Sequence, residues 1–329
     1  RYTTNGTLDT TFGTVTTTFS GSNTKLNSLL IRTDGKIIGA GSSQINSYSN
    51  FILTRYNTNG ILDTTFGLNG KVITSLVTNN HSYCKSIAFQ SDSTIIAGGY
   101  INNGVYDDFA LVRYTKDGQI DTSFGTNGIV ITSISSKNDQ CLSIGIQNND
   151  HIIASGYSDN ATNKDFVLVS YNKDGKINTS FGTNGKIITP IGSVDEEINS
   201  IVIQNDNKIM AGGYAYNGSD NDIAIVRYHT DGTIDNTFST GGLKINSLIV
   251  SEYSHIIIKN VLFSPLDIFN IKNQNFLRLP KVNRQLLLNN PNKFFLDAEK
   301  LKNLYNSLAM GDPYIYPMKS KIPVKLPDK

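Results

Sequence analysis

The stretch "RYTKDGQIDTSFG", residues 113–125, has near copies at four other places: "RYTTNGTLDTTFG" from Arg1, "RYNTNGILDTTFG" from Arg55, "SYNKDGKINTSFG" from Ser170 and "RYHTDGTIDNTFS" from Arg227. The tyrosines Tyr2, Tyr56, Tyr114, Tyr171 and Tyr228 are spaced by 54, 58, 57 and 57 residues. A period of this length is that of units that stack because none can bury its apolar face alone. Within the unit starting at residue 84, four short apolar runs, "CKSIAFQ", "TIIAGGY", "DFALVRY" and "GIVITSI", are separated by turn clusters such as "SDS", "NNGVYDD" and "KDG".

In "DFALVRY", Phe109 and Leu111 point to one face while Ala110 and Val112 point to the other. Strands apolar on both faces belong to a sheet covered on both sides. Four-stranded antiparallel sheets stacked around an axis provide that cover. The expected fold is all-β, a β-propeller of about five visible four-stranded blades, with a C-terminal helix and an extended basic arm.

The run "DFALVRYTKDGQIDTSFGTNGIVIT", preceded by segments such as "IQNDNKIMAGGY", resembles the delta-60 repeat, a family of roughly sixty-residue units common in bacterial surface and secreted proteins. The resemblance covers residues 1 to 246 and implies propeller-like β-structure. It implies no catalytic residues, because the family is defined by its repeat. The Asn-, Ile- and Lys-rich usage is also similar to that of proteins from AT-rich genomes, including giant DNA viruses of amoebae. These likenesses favour an extracellular, surface or virion setting over a cytoplasmic one.

Each Arg of the motif is followed eight residues later by an Asp: Arg1 with Asp9, Arg55 with Asp63, Arg113 with Asp121, and Arg227 with Asp235. The copy at Ser170 loses both partners together, with Asn178 in place of Asp. A joint loss is what a structural ion pair predicts, since removing one partner strands a charge. The motif is therefore read as a structural staple, with Phe12, Phe66, Phe124, Phe181 and Phe238 tucking the loop against the sheet.

Cys84 and Cys141 stand where other copies carry Leu26 and Ile198, so an apolar core slot is favoured over a disulfide or metal ligand. His151 aligns with Lys36, Thr94 and Lys208, and His229 with Thr115 and Asn172, which makes both solvated positions. His81 lies in a polar loop, and no His pair has metal-ligand spacing. The Asp- and Asn-rich loops lack the fixed spacing of a calcium loop, and Asx turns are the favoured reading. The chain carries no P-loop, G-x-S-x-G or H-E-x-x-H motif. No catalytic residue, metal or cofactor is expected.

Two sets of connections vary between copies: strand two to three, and strand four to the next strand one. Alternating strands place both sets on one rim. That rim offers Tyr100, Tyr106, Tyr157, Tyr214 and Tyr216 among Asp107, Asp108, Asp159, Asp220, Asp222, Asp195, Glu196 and Glu197. Tyr with Asn and Asp suits polar recognition of a sugar or a basic protein surface, although loops also drift and stay polar for solubility. The expected partners are proteins, through self-association or a larger assembly, with a glycan as the alternative.

Composition changes near residue 250. Residues 251–329 hold one of 28 glycines and seven of eight prolines, and carry 12 Lys and Arg against 6 Asp and Glu, net +6. Residues 1–250 carry 17 against 21, net −4. The expected organisation is a repeat array over 1–250, degenerate strands over 251–283 that could complete a closing blade with the N-terminal "TVTTTF", and a helix plus arm over 284–329. The arm's basic character permits docking on an acidic neighbour, a solvated tail, or a strap over its own domain.

No stretch approaches the roughly 18 apolar residues of a membrane helix. The first residues lack the apolar run of an export signal, and the chain opens mid-repeat, so upstream sequence is expected. A net charge of +2 without a basic, aromatic-interleaved stripe argues against nucleic-acid packaging. An enzyme would need converging carboxylates. The innermost strands instead carry Gln90, Gln147 and Gln204, with Arg32, and predict an amide-lined pore.

Overall fold

In the computed structural model, residues 1–12, 14–239, 241–246, 248–251 and 255–258 are described. The first sheet contains β1 (Ser22–Ile31), β2 (Ile37–Ile45), β3 (Tyr48–Tyr56) and β4 (Lys71–Thr74). The second contains β5 (Ser82–Phe89), β6 (Ile95–Asn102), β7 (Asp107–Tyr114) and β8 (Ile129–Thr132). The third contains β9 (Asp139–Ile146), β10 (Ile152–Asp159), β11 (Lys164–Tyr171) and β12 (Lys186–Thr189), and the fourth β13 (Glu196–Ile203), β14 (Ile209–Tyr216), β15 (Asn221–Tyr228) and β16 (Leu243–Asn246).

Each sheet is a simple meander in which consecutive strands pair antiparallel. The all-β expectation holds, with four propeller-like blades among the described residues and no helix among them. The expected C-terminal helix and the arm lie outside the described residues.

The chain divides into two units, Arg1–Ile245 and Asn246–Lys329. In the second, β17 (Leu248–Ser251) pairs antiparallel with β18 (His255–Ile258). Its register repeats that of the first hairpin of blade four at an offset of 47 residues: Leu248 faces Ile258 as Ile201 faces Ala211.

The strands with apolar residues on both faces are buried on both. Phe109, Ala110, Leu111 and Val112 are all 0% exposed. Ala110 and Val112 pack in one core cluster with Phe51, Leu53 and Ile87, whereas Phe109 and Leu111 pack in another with Ile144 and Val167. Burial of such side chains contributes about 1.5–3 kcal/mol each, and the sheet-on-sheet cores are where it accrues. Cys84 and Cys141 are unpaired, fully buried members of these clusters, and burial pushes both thiols up, Cys141 to about 12.

A bulge recurs in the first strand of each blade. The register slips between Leu26 and Ser28, Cys84 and Ser86, and Ile198 and Ser200, and opposite Ser155 and Gly156 in the third blade. The bulge drives a strand-one carbonyl against strand two. A Cβ on Gly41, Gly99, Gly156 or Gly213 would lie 1.8–1.9 Å from the carbonyl oxygen of Lys25, Tyr83, Gln140 or Glu197, so glycine is obligatory there. The bulge serines tie blade to blade: Ser28, Ser86 and Ser143 accept from the amides of Ile87, Ile144 and Ile201 in the next blade, at 3.2–3.3 Å.

Residues 14–19, expected as a fourth strand, carry no assigned strand. They nevertheless pack on blade one as each fourth strand packs on the blade that follows it. Thr17 hydrogen-bonds Tyr56 Oη at 2.7 Å, and Lys71 Nζ donates to Thr18 O at 2.6 Å, as Lys186 Nζ does to Ser133 O.

Candidate functional site: the variable rim and the clamped rim

The motif loops build one rim. Arg113 Nε stands 2.8 Å from Asp121 Oδ2, Arg55 Nε 2.7 Å from Asp63 Oδ2, Arg227 Nε 2.9 Å from Asp235 Oδ2, and Arg1 Nη2 2.7 Å from Asp9 Oδ2. Each guanidinium lies over its own motif's phenylalanine, 4.7–5.0 Å from the centroid of Phe12, Phe66, Phe124 or Phe238. Nη2 stays within the motif, on Thr65 Oγ1 or Ser123 Oγ, and Nη1 reaches the next blade: Arg55 Nη1 donates to Lys116 O at 2.6 Å and Arg113 Nη1 to Lys173 O at 2.7 Å. Gly67 and Gly125 amides add bonds to Asp117 O and Asp174 O.

Electrostatics follow from this geometry. For Asp63, burial works against ionisation, but hydrogen bonds from Lys36, Thr65 and Arg55 hold its carboxyl well below the usual range. The Ser123 hydroxyl and Arg113 lower Asp121, and the Thr11 hydroxyl and Arg1 bring Asp9 to about 2.

Gln90 and Gln147 belong to this rim rather than to a pore, which corrects the expected amide lining. Both are 5% exposed. Gln90 Nε2 donates to Asp150 O and Lys173 O, and Gln147 Nε2 to Asn207 O, each across a blade boundary. Arg32 likewise turns to Lys116 O at 3.2 Å. His151 is half-buried, with Nδ1 3.4 Å from Asn178 Nδ2, rather than fully solvated.

The opposite rim carries the variable connections, and the two variable sets touch. Lys137 Nζ reaches Tyr106 Oη at 2.9 Å, and the amides of Asp107 and Lys164 donate to Asn138 Oδ1 and Asp195 Oδ1. Tyr100, Tyr157 and Tyr214 repeat at one position of strand two, where blade one has Ser42. Tyr83 and Tyr100 rings lie 5.1 Å apart, and Lys85 Nζ stands 5.4 Å over Tyr100. Tyr214 Oη donates to Glu197 Oε2 at 3.0 Å, Lys164 Nζ is 3.5 Å from Glu197 Oε1, and Gln140 Nε2 donates to Asp107 Oδ2 at 2.6 Å.

These groups share one field. Burial pushes Tyr100 up to about 12, and the charges of Asp107 and Glu197 add to it. Burial and Glu197 do the same to Tyr214, also to about 12, and Tyr157 is raised by burial and then by Glu197 and Asp107. Tyr83 and Lys85 join the rim without having been expected there, because they stand at the start of a strand rather than in a loop. Period-two alternation against buried Ser82 and Cys84 is the signal that could have found them. His81 is no free loop residue: its Nδ1 accepts from the Ser49 amide at 3.2 Å and its ring lies between Tyr48 and Tyr83.

Several expected rim residues are instead structural. Asp108 and Asp222 are 7% and 5% exposed and accept from the turn amides Asn103 Nδ2 and Asn217 Nδ2, at 2.9 and 3.1 Å. Glu196 is fully buried and accepts from the Ile191 and Gly192 amides, and burial pushes its carboxyl up. Tyr157 is 5% exposed under Lys164. Tyr106, Asp107, Asp159, Tyr214 and Tyr216 are half-buried and Asp220 is exposed, accepting from Asn217 Nδ2. Among the described residues no group of three or more His, Cys, Asp or Glu could hold a metal ion.

A family comparison agrees with this architecture. Residues 32–66, 90–124, 147–181 and 204–238 match the family model described as "Domain of unknown function (DUF5122) beta-propeller". Each segment runs from the end of a first strand through the staple position, Arg–Asp in three segments and Ser170–Asn178 in the one over 147–181, to its Phe. No curated protein matches the chain in sequence. Among solved structures, an alpha-L-arabinofuranosidase from Clostridium thermocellum is similar at 12% identity and a TM-score of 0.36, covering 63% of this chain and 70% of that one. The chain is a β-propeller repeat protein.

Proposed function

We propose that this chain is a non-enzymatic interaction propeller, structural or adhesive in role, that binds a protein partner on the variable rim and self-associates through its basic C-terminal region. The observation that carries the reading is the contrast between the rims. On the clamped rim, the motif arginines are consumed by their own Asp, and Arg1, Arg55 and Arg113 also by a carbonyl of the next motif loop. On the other, half-buried tyrosines surround Asp107 and Glu197 with side chains that differ between blades. Tyrosine and carboxylates together suit a basic, polar partner. The charge split, net −4 over 1–250 and net +6 over 251–329, supports another copy of this chain as that partner.

The domain organisation proposed with it has repeats over 1–250, strands of a further blade over 251–283 and a docking arm over 284–329. The register shared by β17–β18 and β13–β14 supports the middle assignment. A glycan ligand is the second reading, supported by the paired Tyr83 and Tyr100 rings beside Asp107.

Light scattering on the full chain, on a version ending at residue 311 and on Tyr100→Ala/Glu197→Gln tests the proposal. Assembly present in the full chain, lost in both variants and weakened by salt is the expected result. A monomer in all three refutes self-association, and a glycan screen then tests the second reading.

A further inference from the structure

The blade that lost its staple holds a cleft of about 450 Å³ between blades three and four. Its walls include Asn178, Ser180, Phe181, Thr230, Gln147 and Asp231. All six are the counterparts of groups that stand around the guanidinium in other blades. Asn178 replaces Asp121, Ser180 matches Ser123, which accepts from Arg113 Nη2 at 2.8 Å, and Phe181 matches Phe124 beneath the guanidinium. Thr230 matches Lys173, whose carbonyl accepts from Nη1, and Gln147 matches Gln90, whose Oε1 lies 3.4 Å from it. Asp231 matches Asp117, 3.8 Å from Arg55 Nη1.

Ser170 is too short to occupy this space. Its hydroxyl accepts from Asn178 Nδ2 at 3.2 Å, and Ser180 Oγ donates to Asn178 Oδ1 at 2.6 Å. We infer that the cleft is a vacant guanidinium slot that binds the guanidinium group of a ligand, an arginine side chain of a partner or a free arginine-like compound. The planar cation fits because its fork of donors can reach the Thr230 carbonyl, Ser180 Oγ and Asn178 Oδ1 together, over the edge or face of Phe181, with Asp231 as counter-charge. A lysine ammonium is a point donor and cannot span those acceptors. The slot lies on the clamped rim, away from the tyrosines, and does not rest on the proposed function.

The test is an NMR titration of the isotope-labelled full chain with N-acetyl-arginine amide, and with its lysine counterpart. Saturable shifts at Asn178, Ser180 and Thr230, with the lysine compound at least tenfold weaker, are expected. Ser170→Arg/Asn178→Asp restores the staple seen in the other blades and should bind at least tenfold more weakly while melting at a higher temperature than the parent. Asp231→Asn keeps the turn acceptor and should weaken binding several-fold. An Arg-containing peptide that binds tenfold tighter than the amide identifies a protein side chain as the source, whereas equal binding identifies a free compound. No saturable shift at the cleft, or equal binding by the refilled variant, overturns the inference.

Discussion

Tyr114 Oη donates to Thr74 Oγ1 at 2.7 Å, joining the third strand of blade two to the fourth strand of blade one. Tyr171 and Thr132, and Tyr228 and Thr189, make the same bond at 2.8 Å at the next two boundaries. Burial pushes all three phenols far up, so they remain neutral donors. A residue present in all five copies of the motif is therefore a tie between blades.

Tyr114→Phe removes that tie and leaves Thr74 buried without its donor. A loss of about 1–2 kcal/mol in urea unfolding is expected. Adding Thr74→Val should recover part of it, because both unpaired groups are then gone; a double variant as unstable as the sum of the singles would contradict the assignment.

Arg113→Ser strands Asp121 and breaks the bond to Lys173 O. With side chains 9% and 22% exposed, the pair is partly screened, and a loss of about 2 kcal/mol is expected. Arg113→Ser/Asp121→Asn, which reproduces the chemistry of Ser170 and Asn178, should cost less than the single change. Chemical denaturation of both variants measures the difference.

The lowered aspartates set the acid limit. A carboxyl whose folded pKa lies below its unfolded value of about 3.9 stabilises the fold above that pH, and the contribution is lost as pH falls toward the folded value. Asp9, Asp63, Asp121 and Asp235 all act in this direction, whereas buried Glu196 is raised and acts in the opposite one. The urea midpoint should be nearly level above pH 5 and fall between about pH 4 and pH 2.

Gly99→Ala would place a Cβ 1.9 Å from Tyr83 O, a backbone atom held by the bulge. A loss of about 3 kcal/mol or more is expected. Gly213→Ala, 1.8 Å from Glu197 O, should behave alike, and thermal unfolding of either variant near the parent's midpoint would contradict the bulge's role.

The period, the strands and the staple were legible in the sequence because each is a local or repeated pattern. "DFALVRY" showed apolar side chains on both faces, and Phe109 through Val112 are buried on both. The joint replacement of Arg and Asp at Ser170 and Asn178 exposed the pairing. Only the tertiary structure decided that Gln90 and Gln147 turn into blade boundaries, that Asp108 and Glu196 are buried braces, and that Tyr83 and Lys85 join the rim. The reason is physical: periodicity records which face of a strand is covered, but not which neighbouring blade's carbonyl or amide a polar side chain meets some 60 residues away.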